Sequence, residues 1–209
     1  MSALTNLSFY PGDDSGVWAR RAELVAPLGA LLFADNAEAV LEAARAFGNL
    51  SRDAAVRGAM RGTRVEEALV LLLDSSDRDV LGAAAGVLVN LAADPAGAEA
   101  LAAGDALLLL ADALDREGAG DPALAATLCQ AAFNLASTLR WRLDGGSALA
   151  LARALQNVHD VGAAGAGVLP PELDNVLTRL LHALHARCSE ALIEAEEAGA
   201  EAAAAAGGG

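Results

Sequence analysis

Small apolar residues recur along this chain at the spacing of amphipathic helices. In residues 78–92, Leu81, Leu88 and Leu91 fall on one side of a helix, together with two alanines between them. This is the i, i+3, i+4, i+7 pattern of a helix that packs one side against a core. Patterns of this kind predict long helices over about residues 37–49, 78–91 and 122–135.

A four-residue signature, one variable residue followed by Asn-Leu and then Ser or Ala, recurs along the chain, and its last three copies close the three long helices. An Asn-Leu pair followed by Ser or Ala begins at Asn6, Asn49, Asn90 and Asn134, with intervals of 43, 41 and 44 residues. Intervals of this length are typical of two- and three-helix solenoid repeats. Between the signatures, the chain has a short helix, a breaker, a middle helix and a turn. These shorter helices are predicted over about residues 52–61 and 65–73, and then 95–102 and 106–114.

The repeats divide the chain into four parts. Residues 1–16 are predicted to hold the remnant of a preceding repeat and a loop, and residues 17–145 hold about three full repeats. Residues 146–188 are predicted to form degenerate capping helices. The first of these covers about residues 147–158, and a Gly/Ala/Pro connector that starts at Gly162 follows it. Residues 189–209 contain almost only Ala, Glu and Gly. We predict disorder there, because this tail has little to pack with.

The signature asparagines lie away from the apolar side of the long helices. Asn90 is about 200° round the helix from Leu88. Stacking would align the equivalent sides into a ladder on the concave face that such solenoids use for binding. An Asn amide can hydrogen-bond the main chain of an extended peptide. The candidate partner-binding residues are Asn49, Asn90, Asn134, Arg45, Gln130, Glu42 and Thr127.

A folding role is the alternative for these asparagines. An Asn near a helix end can satisfy the last carbonyls or cap the following turn, and it would then recur for structural reasons. The binding hypothesis predicts that replacing Asn90 and Asn134 by Ala weakens partner binding and leaves thermal stability nearly unchanged. The folding alternative predicts a large loss of stability.

Composition supports helices and argues against nucleic acid as a partner. The 209 residues are 55% apolar but only 3% aromatic, and Ala and Leu are strong helix formers. The formal charge is −14, so the chain lacks the basic surface that phosphate binding requires. The apolar runs are too short to span a bilayer, and no secretory signal is visible. We therefore expect a cytoplasmic protein without membrane insertion.

We assign no catalytic residue, metal site or cofactor from the sequence. His182, His185 and Cys188 lie three residues apart on one predicted helix, but no fourth ligand follows at a regular spacing. Ordinary positions on an amphipathic helix are the favoured interpretation. The Gly-rich segments lack the Gly-Lys-Ser/Thr of a phosphate-binding loop.

The helix endings resemble the armadillo repeat. The segments Ala43–Ser51, Gly86–Leu91 and Leu128–Leu135 carry this resemblance, which covers roughly residues 17–145. It implies an all-α fold, an armadillo-type right-handed α-solenoid of about three full repeats plus partial end caps.

One departure from the family pattern limits the expected partners. Nuclear-import armadillo proteins place Trp four residues before the groove Asn, where this chain has Arg45, Gly86 and Gln130. A receptor for nuclear-localisation signals is therefore not expected.

The same segments are most similar to those of a ciliary member of the family. This implies a non-enzymatic adaptor in motile cilia or flagella, with radial-spoke components of the axoneme and the intraflagellar transport machinery as partners. Two other functions stay open. A general cytosolic armadillo scaffold would use the same groove for other partners. A regulatory subunit would hold an enzyme or GTPase by its convex or end surface.

Overall fold

A computed structural model describes residues 3–12, 15–139, 143–164 and 170–185 of the chain. Within these ranges the chain forms twelve helices joined by turns, and no strand. No helix in this part of the chain is long and apolar enough to cross a membrane. The tail over residues 189–209, for which the sequence predicts disorder, lies outside the described residues.

Three consecutive units each contain a short, a middle and a long helix, as the signature spacing predicts. The first unit comprises α2 (Gly16–Ala19), α3 (Val25–Leu31) and α4 (Ala37–Leu50). The second comprises α5 (Ala54–Met60), α6 (Arg64–Leu71) with a 3-10 turn at Leu72–Asp74, and α7 (Arg78–Leu91). The third comprises α8 (Pro95–Ala103), α9 (Ala106–Glu117) and α10 (Pro122–Thr138). Helix α1 (Ala3–Phe9) precedes them, and α11 (Gly145–Ala164) and α12 (171–185) follow.

Short polar side chains define where these helices begin. Asn36, Asp77 and Asp121 precede the three long helices, and each accepts a hydrogen bond from a backbone amide of the first turn. Asp53 and Asp94 do the same for α5 and α8. Such caps satisfy amides that have no partner inside the helix. The same type of cap thus begins all three long helices and two of the short ones.

Alanine and leucine fill the core, which runs continuously from Val25 to Leu184. The signature leucines Leu50, Leu91 and Leu135 are 0%, 1% and 0% exposed. Burial of such a side chain contributes about 1.5–3 kcal/mol. Because the core has few rings, the helix backbones lie close together.

The long helices stack in a row. Helix α1 packs against α4, α4 against α7, and α7 against α10. At the far end, Arg179 of α12 lies over the ring of Phe133 in α10, with its guanidinium carbon 4.1 Å from the ring centre. The middle helix α9 packs against α11. The three units are thus flanked by α1 at one end and by α11 and α12 at the other.

A second series of contacts joins the short helices. Asp94 caps α8 and also pairs with Arg61 (3.1 Å) and Arg57 (3.4 Å) of the second unit. Asp53 caps α5 and pairs with Arg21 of the first unit (2.8 Å). Burial favours a raised pKa for both carboxyls, but the arginines and backbone amides outweigh it and lower the pKa of each. Their contribution to stability is therefore present at neutral pH and is lost as the pH falls through these lowered values.

Three helices extend beyond their predicted ends, and one of them is α10, which continues past residue 135 to Thr138. Helix α11 continues to Ala164, so the prediction of a connector starting at Gly162 is wrong. The alanines that follow are strong helix formers, and one Gly costs a helix only about 1 kcal/mol. Helix α9 extends past 114 to Glu117. Its last turn is held by the second unit, because Arg116 donates to the Leu73 carbonyl (3.0 Å) and Glu117 pairs with Arg78 (2.7 Å).

Two glycines in equivalent short helices allow a test of the close packing. A Cβ at Gly97 in α8 would overlap the carbonyl oxygen of Leu91, whereas a Cβ at Gly58 in α5 would meet nothing within 4 Å. We expect Gly97→Ala to destabilise the protein by about 1–3 kcal/mol through overpacking. Gly58→Ala should stabilise it by about 0.5–1 kcal/mol, because Ala is the better helix former. Urea unfolding measures both changes, and shifts of the same sign would contradict this packing.

Candidate partner-binding site

Asn90 in α7 reaches across to the preceding long helix. Its Nδ2 donates to the carbonyl oxygen of Gly48 (3.1 Å) and to the Ser51 hydroxyl (2.9 Å), both at the end of α4. The Gly48 carbonyl is one of the last four of its helix, which have no partner within the helix. The Ser51 side chain is fully buried. Asn90 thus supplies hydrogen-bond donors to a helix end that belongs to another unit.

The same contact occurs at both neighbouring junctions. Asn49 donates to the Thr5 carbonyl (3.1 Å) and the Ser8 hydroxyl (3.1 Å) of α1. Asn134 donates to the Val89 carbonyl (3.0 Å) of α7. In each case the acceptor carbonyl belongs to the residue just before the signature Asn of the previous long helix. We call this series of contacts the asparagine ladder.

The third junction differs because Ala92 stands where the earlier helices have Ser8 and Ser51. Thr138 compensates by donating to the Ala92 carbonyl (2.8 Å). Gln130 donates to Oδ1 of Asn134 (2.7 Å), so this Asn uses both its oxygen and its nitrogen within the fold. No pattern in the sequence indicated this role of Thr138.

The ladder gives the asparagines a folding role, and in Asn49 and Asn90 it uses the side-chain nitrogen but not the side-chain oxygen. Both N–H groups of Asn49 and of Asn90 have acceptors inside the fold. Their Oδ1 atoms accept no hydrogen bond from the described residues, and both side chains are half-buried. The two hypotheses from the sequence are therefore compatible. Each of these amides can serve the fold with its nitrogen and a partner with its oxygen.

Charged residues flank the first two rungs of the ladder. Arg45 pairs with Glu42 (3.2 Å) in its own helix and with Asp79 (3.4 Å) in the next long helix. Thr5 donates to the second oxygen of Glu42 (2.9 Å). Glu38 is exposed one turn earlier in α4. Two of these three carboxylates pair with the one guanidinium, so this region carries a net negative charge.

The candidate residues of the third unit interact mainly within α10. The Thr127 hydroxyl donates to the Ala123 carbonyl one turn earlier (3.1 Å), and Gln130 contacts Asn134. Between this region and the charged one, α7 presents Gly82 and Gly86. A Cβ at Gly86 would meet nothing within 4 Å. Between Asp79 and Val89 the exposed side of α7 therefore has no side chain larger than the methyl group of Ala83, so the main chain of a partner can come close to it.

A recess lies at the α1 end of the site and was not expected from the sequence. Its volume is about 400 Å³. Phe9 and Tyr10 are 51% and 74% exposed in it, with their rings edge to face and 4.9 Å apart. The recess is lined by Thr5, Asn6, Phe9, Tyr10, Arg45 and Asn49. We call the exposed sides of α1, α4, α7 and α10, with this recess, the third-helix face.

The residues considered for metal binding or chemistry lie elsewhere. His182 and His185 are exposed on α12, and Cys188 lies outside the described residues. Within the part of the chain that the structure describes, no three His, Cys, Asp or Glu side chains are grouped so that they could hold a metal. Burial raises the pKa of Cys129 to about 12, so its thiol stays protonated at neutral pH.

Sequence comparison finds proteins that are similar to about two thirds of this chain. Armadillo repeat-containing protein 2 of Mus musculus is 33% identical over 139 residues, and that of Homo sapiens is 31% identical over 138. Each alignment covers 66% of this chain and 16% of the relative, so the chain spans about a sixth of the length of these proteins. No protein-family model matches the sequence.

Structure comparison finds the same kind of solenoid. A designed armadillo repeat protein superposes with a TM-score of 0.56 at 20% identity, covering 87% of this chain and 92% of the other. A designed armadillo repeat protein in complex with the peptide (KR)4 superposes with a TM-score of 0.60 at 18% identity, covering 87% and 90%. At this identity the likeness concerns the fold alone.

The ladder predicts that Asn90 contributes to stability. Asn90→Ala leaves the Gly48 carbonyl and the Ser51 hydroxyl without their donor, and we expect a loss of about 1–2 kcal/mol in the free energy of unfolding. This differs from the unchanged stability that the binding hypothesis alone predicts. Asn90→Asp should cost at least as much, because it replaces the donor by a carboxylate.

Asn6→Ala is the matched control, because Asn6 is exposed and donates to no described residue. We expect its effect to stay within about 0.5 kcal/mol. Urea unfolding of the three variants measures these differences. Equal stability of Asn90→Ala and Asn6→Ala would show that the ladder does not stabilise the fold.

Proposed function

We propose that this chain, an armadillo-repeat solenoid, is a scaffold without enzymatic activity that binds an extended segment of another protein along its third-helix face. One observation carries the proposal. The half-buried amide oxygens of Asn49 and Asn90 lie on either side of a junction between long helices, and no described residue donates to them. Gly86 of α7 lies one turn before Asn90, and a main chain can approach closely there because Gly86 has no side chain.

The polarity of the face supports a partner segment rich in hydrogen-bond donors. The open groups of Asn49 and Asn90 are acceptors, because their donors are used by the ladder. Backbone amides and the side chains of Lys and Arg are the donors that an extended segment can offer. The carboxylates of Glu38 and Asp79 add an attraction for positive charge.

The recess supports the same partner chemistry. The exposed ring of Tyr10 can bind a cationic side chain through its face, an interaction worth about 0.5–1 kcal/mol at an exposed site. Basic side chains also have long apolar stems, which can cover the exposed part of Phe9. The designed armadillo protein with bound (KR)4 is a precedent for such a segment on this fold.

The resemblance to a ciliary armadillo protein supports a finer proposal. We infer that the scaffold acts in motile cilia or flagella as a cargo adaptor that links radial-spoke components to intraflagellar transport. Armadillo repeat-containing protein 2 of Mus musculus is 33% identical to this chain over 139 residues, which is 66% of the chain. The cargo and the transport factor would then bind different parts of the protein.

The partner chemistry is tested with a fluorescein-labelled (KR)4 peptide and fluorescence anisotropy. We expect saturable binding that weakens as salt is added, because the exposed charges are screened. The double variant Glu38→Gln/Asp79→Asn removes two carboxylates from the third-helix face. It should bind on the order of tenfold more weakly, if each charge contributes a few tenths to 1 kcal/mol.

The control carries the same change in charge elsewhere. Glu99→Gln/Asp105→Asn neutralises two exposed carboxylates near the short helix α8, away from the third-helix face. Its affinity for (KR)4 should equal that of the unaltered chain. If both double variants weaken binding of (KR)4 equally, the peptide binds by general charge attraction and not at the third-helix face. If the unaltered chain does not bind (KR)4, the proposed partner chemistry is wrong.

The cellular role is tested by localisation of a fluorescently tagged full chain in a ciliated cell that is regrowing its cilia. We expect the tagged protein at the ciliary base and along the growing cilium, and less of it there for Glu38→Gln/Asp79→Asn. Uniform cytosolic signal would favour a general cytosolic scaffold. Recovery of a bound enzyme or GTPase that is unaffected by the face variant would favour a regulatory subunit.

A further inference from the structure

The turn before α7 contains a serine that the fold does not use. Ser76 is exposed and lies in the bend between the 3-10 turn that ends at Asp74 and the start of α7 at Arg78. The hydroxyl of Ser75 accepts a hydrogen bond from the Asp77 amide (3.1 Å), whereas the Ser76 hydroxyl has no hydrogen-bond partner among the described residues. Of the serines and threonines that the structure describes, Ser76 alone is exposed, outside a helix and without such a contact. An enzyme can therefore reach its hydroxyl.

Carboxylates surround this serine in the sequence. Asp74 lies two residues before Ser76, Asp77 follows it directly, and Asp79 lies three residues after it. The side chains of Asp74 and Asp79 are 79% and 71% exposed. Kinases that select acidic substrates bind such carboxylates through clusters of Lys and Arg. The first-turn amides of α7 have no partner inside the helix and are held by the Asp77 side chain, so this segment can open when an enzyme binds it.

The equivalent position in the first unit is already a carboxylate. The residue directly before the cap of the long helix is Asp35 in the first unit, Ser76 in the second and Gly120 in the third. Asp35 is exposed, like Ser76. A phosphate on Ser76 would therefore give the second unit the negative group that the first unit carries permanently. Among these three positions, only Ser76 can gain and lose a charge at neutral pH.

We propose that Ser76 is phosphorylated by a serine kinase that selects acidic substrates, and that the phosphate strengthens the binding of a basic segment to the third-helix face. The second half of this inference rests on the proposed function. The kinase transfers the γ-phosphoryl group of ATP. A bond forms between Ser76 Oγ and the γ-phosphorus, the bond from that phosphorus to the oxygen it shares with the β-phosphate breaks, ADP leaves, and the hydroxyl proton passes to a base of the kinase.

Ser76 lies near enough to the third-helix face for a phosphate to act there. Three peptide units separate Ser76 from Asp79, so their Cα atoms are at most about 11 Å apart. This is close to the Debye length, about 8–10 Å at physiological salt. A phosphoserine carries a charge of about −1.5 to −2 at neutral pH. Arg78, the nearest arginine in the sequence, already pairs with Glu117 (2.7 Å), so the phosphate adds to the negative charge of the face.

The modification is tested by incubating the full chain with casein kinase II and ATP and then mapping the phosphate by peptide mass spectrometry. We expect phosphate on Ser76 in the unaltered chain, and none in this turn in Ser76→Ala. Ser75→Ala is the matched control and should be phosphorylated like the unaltered chain, since Ser75 is followed at the third position by Arg78 and not by a carboxylate. Thermal unfolding shows that both variants are folded. An unmodified Ser76, or a phosphate on Ser75 in its place, overturns the proposal.

The effect on binding is measured by anisotropy with the labelled (KR)4 peptide, before and after kinase treatment. The phosphorylated chain should bind about three- to tenfold more tightly, because it carries about two more exposed negative charges. Phosphatase should reverse this gain, and kinase-treated Ser76→Ala should bind like the untreated chain. If the unphosphorylated chain binds (KR)4 and a phosphate on Ser76 does not strengthen binding, this inference alone is wrong. If neither form binds (KR)4, the proposed function and the effect of the phosphate on it are both wrong.

Discussion

The unpaired carbonyl groups at the end of each long helix are the constraint on which this solenoid depends. A helix cannot satisfy its last four carbonyls, and here those ends lie against the next unit, where few donors are available. The signature asparagines provide the donors from that next unit. Because a hydrogen bond tolerates only a few tenths of an ångström, each contact also fixes how far one long helix is shifted against its neighbour. This alignment brings the apolar sides of the long helices together on one side of the row and their polar sides together on the other.

The sequence predicts the row of helices well, because two periodic signals coincide in it. The apolar stripe through Leu81, Leu88 and Leu91 defines the core side, and the spacing of the asparagines defines the unit. Caps such as Asp77 mark the helix starts. The end of α11 could not be predicted, because a glycine marks a helix end only when the residues after it do not continue the helix. In α11 they are alanines.

The candidate site could be predicted only in part, since an Asn has the same sequence signal whether it binds a ligand or another helix. The location of Asn49 and Asn90 was predictable, but the destination of their N–H groups was not. Ser8 and Ser51 carried a usable signal, because they recur with the asparagines at a 43-residue interval. Phe9 and Tyr10 carried none. Phe9 is the last residue of the short helix α1 and Tyr10 follows it, in a segment predicted as a loop. Only the stacking of α1 on α4 places them beside Asn49.

The ladder contacts all run in one direction, and this has a consequence for the order in which the protein forms. In each contact the acceptor belongs to the unit nearer the amino terminus, and the donor belongs to the next one. During synthesis the amino-terminal units leave the ribosome first and can fold before the rest is made. Every completed unit then displays the carbonyl that the following unit needs. Each repeat can thus fold against the one made before it, in the order of synthesis.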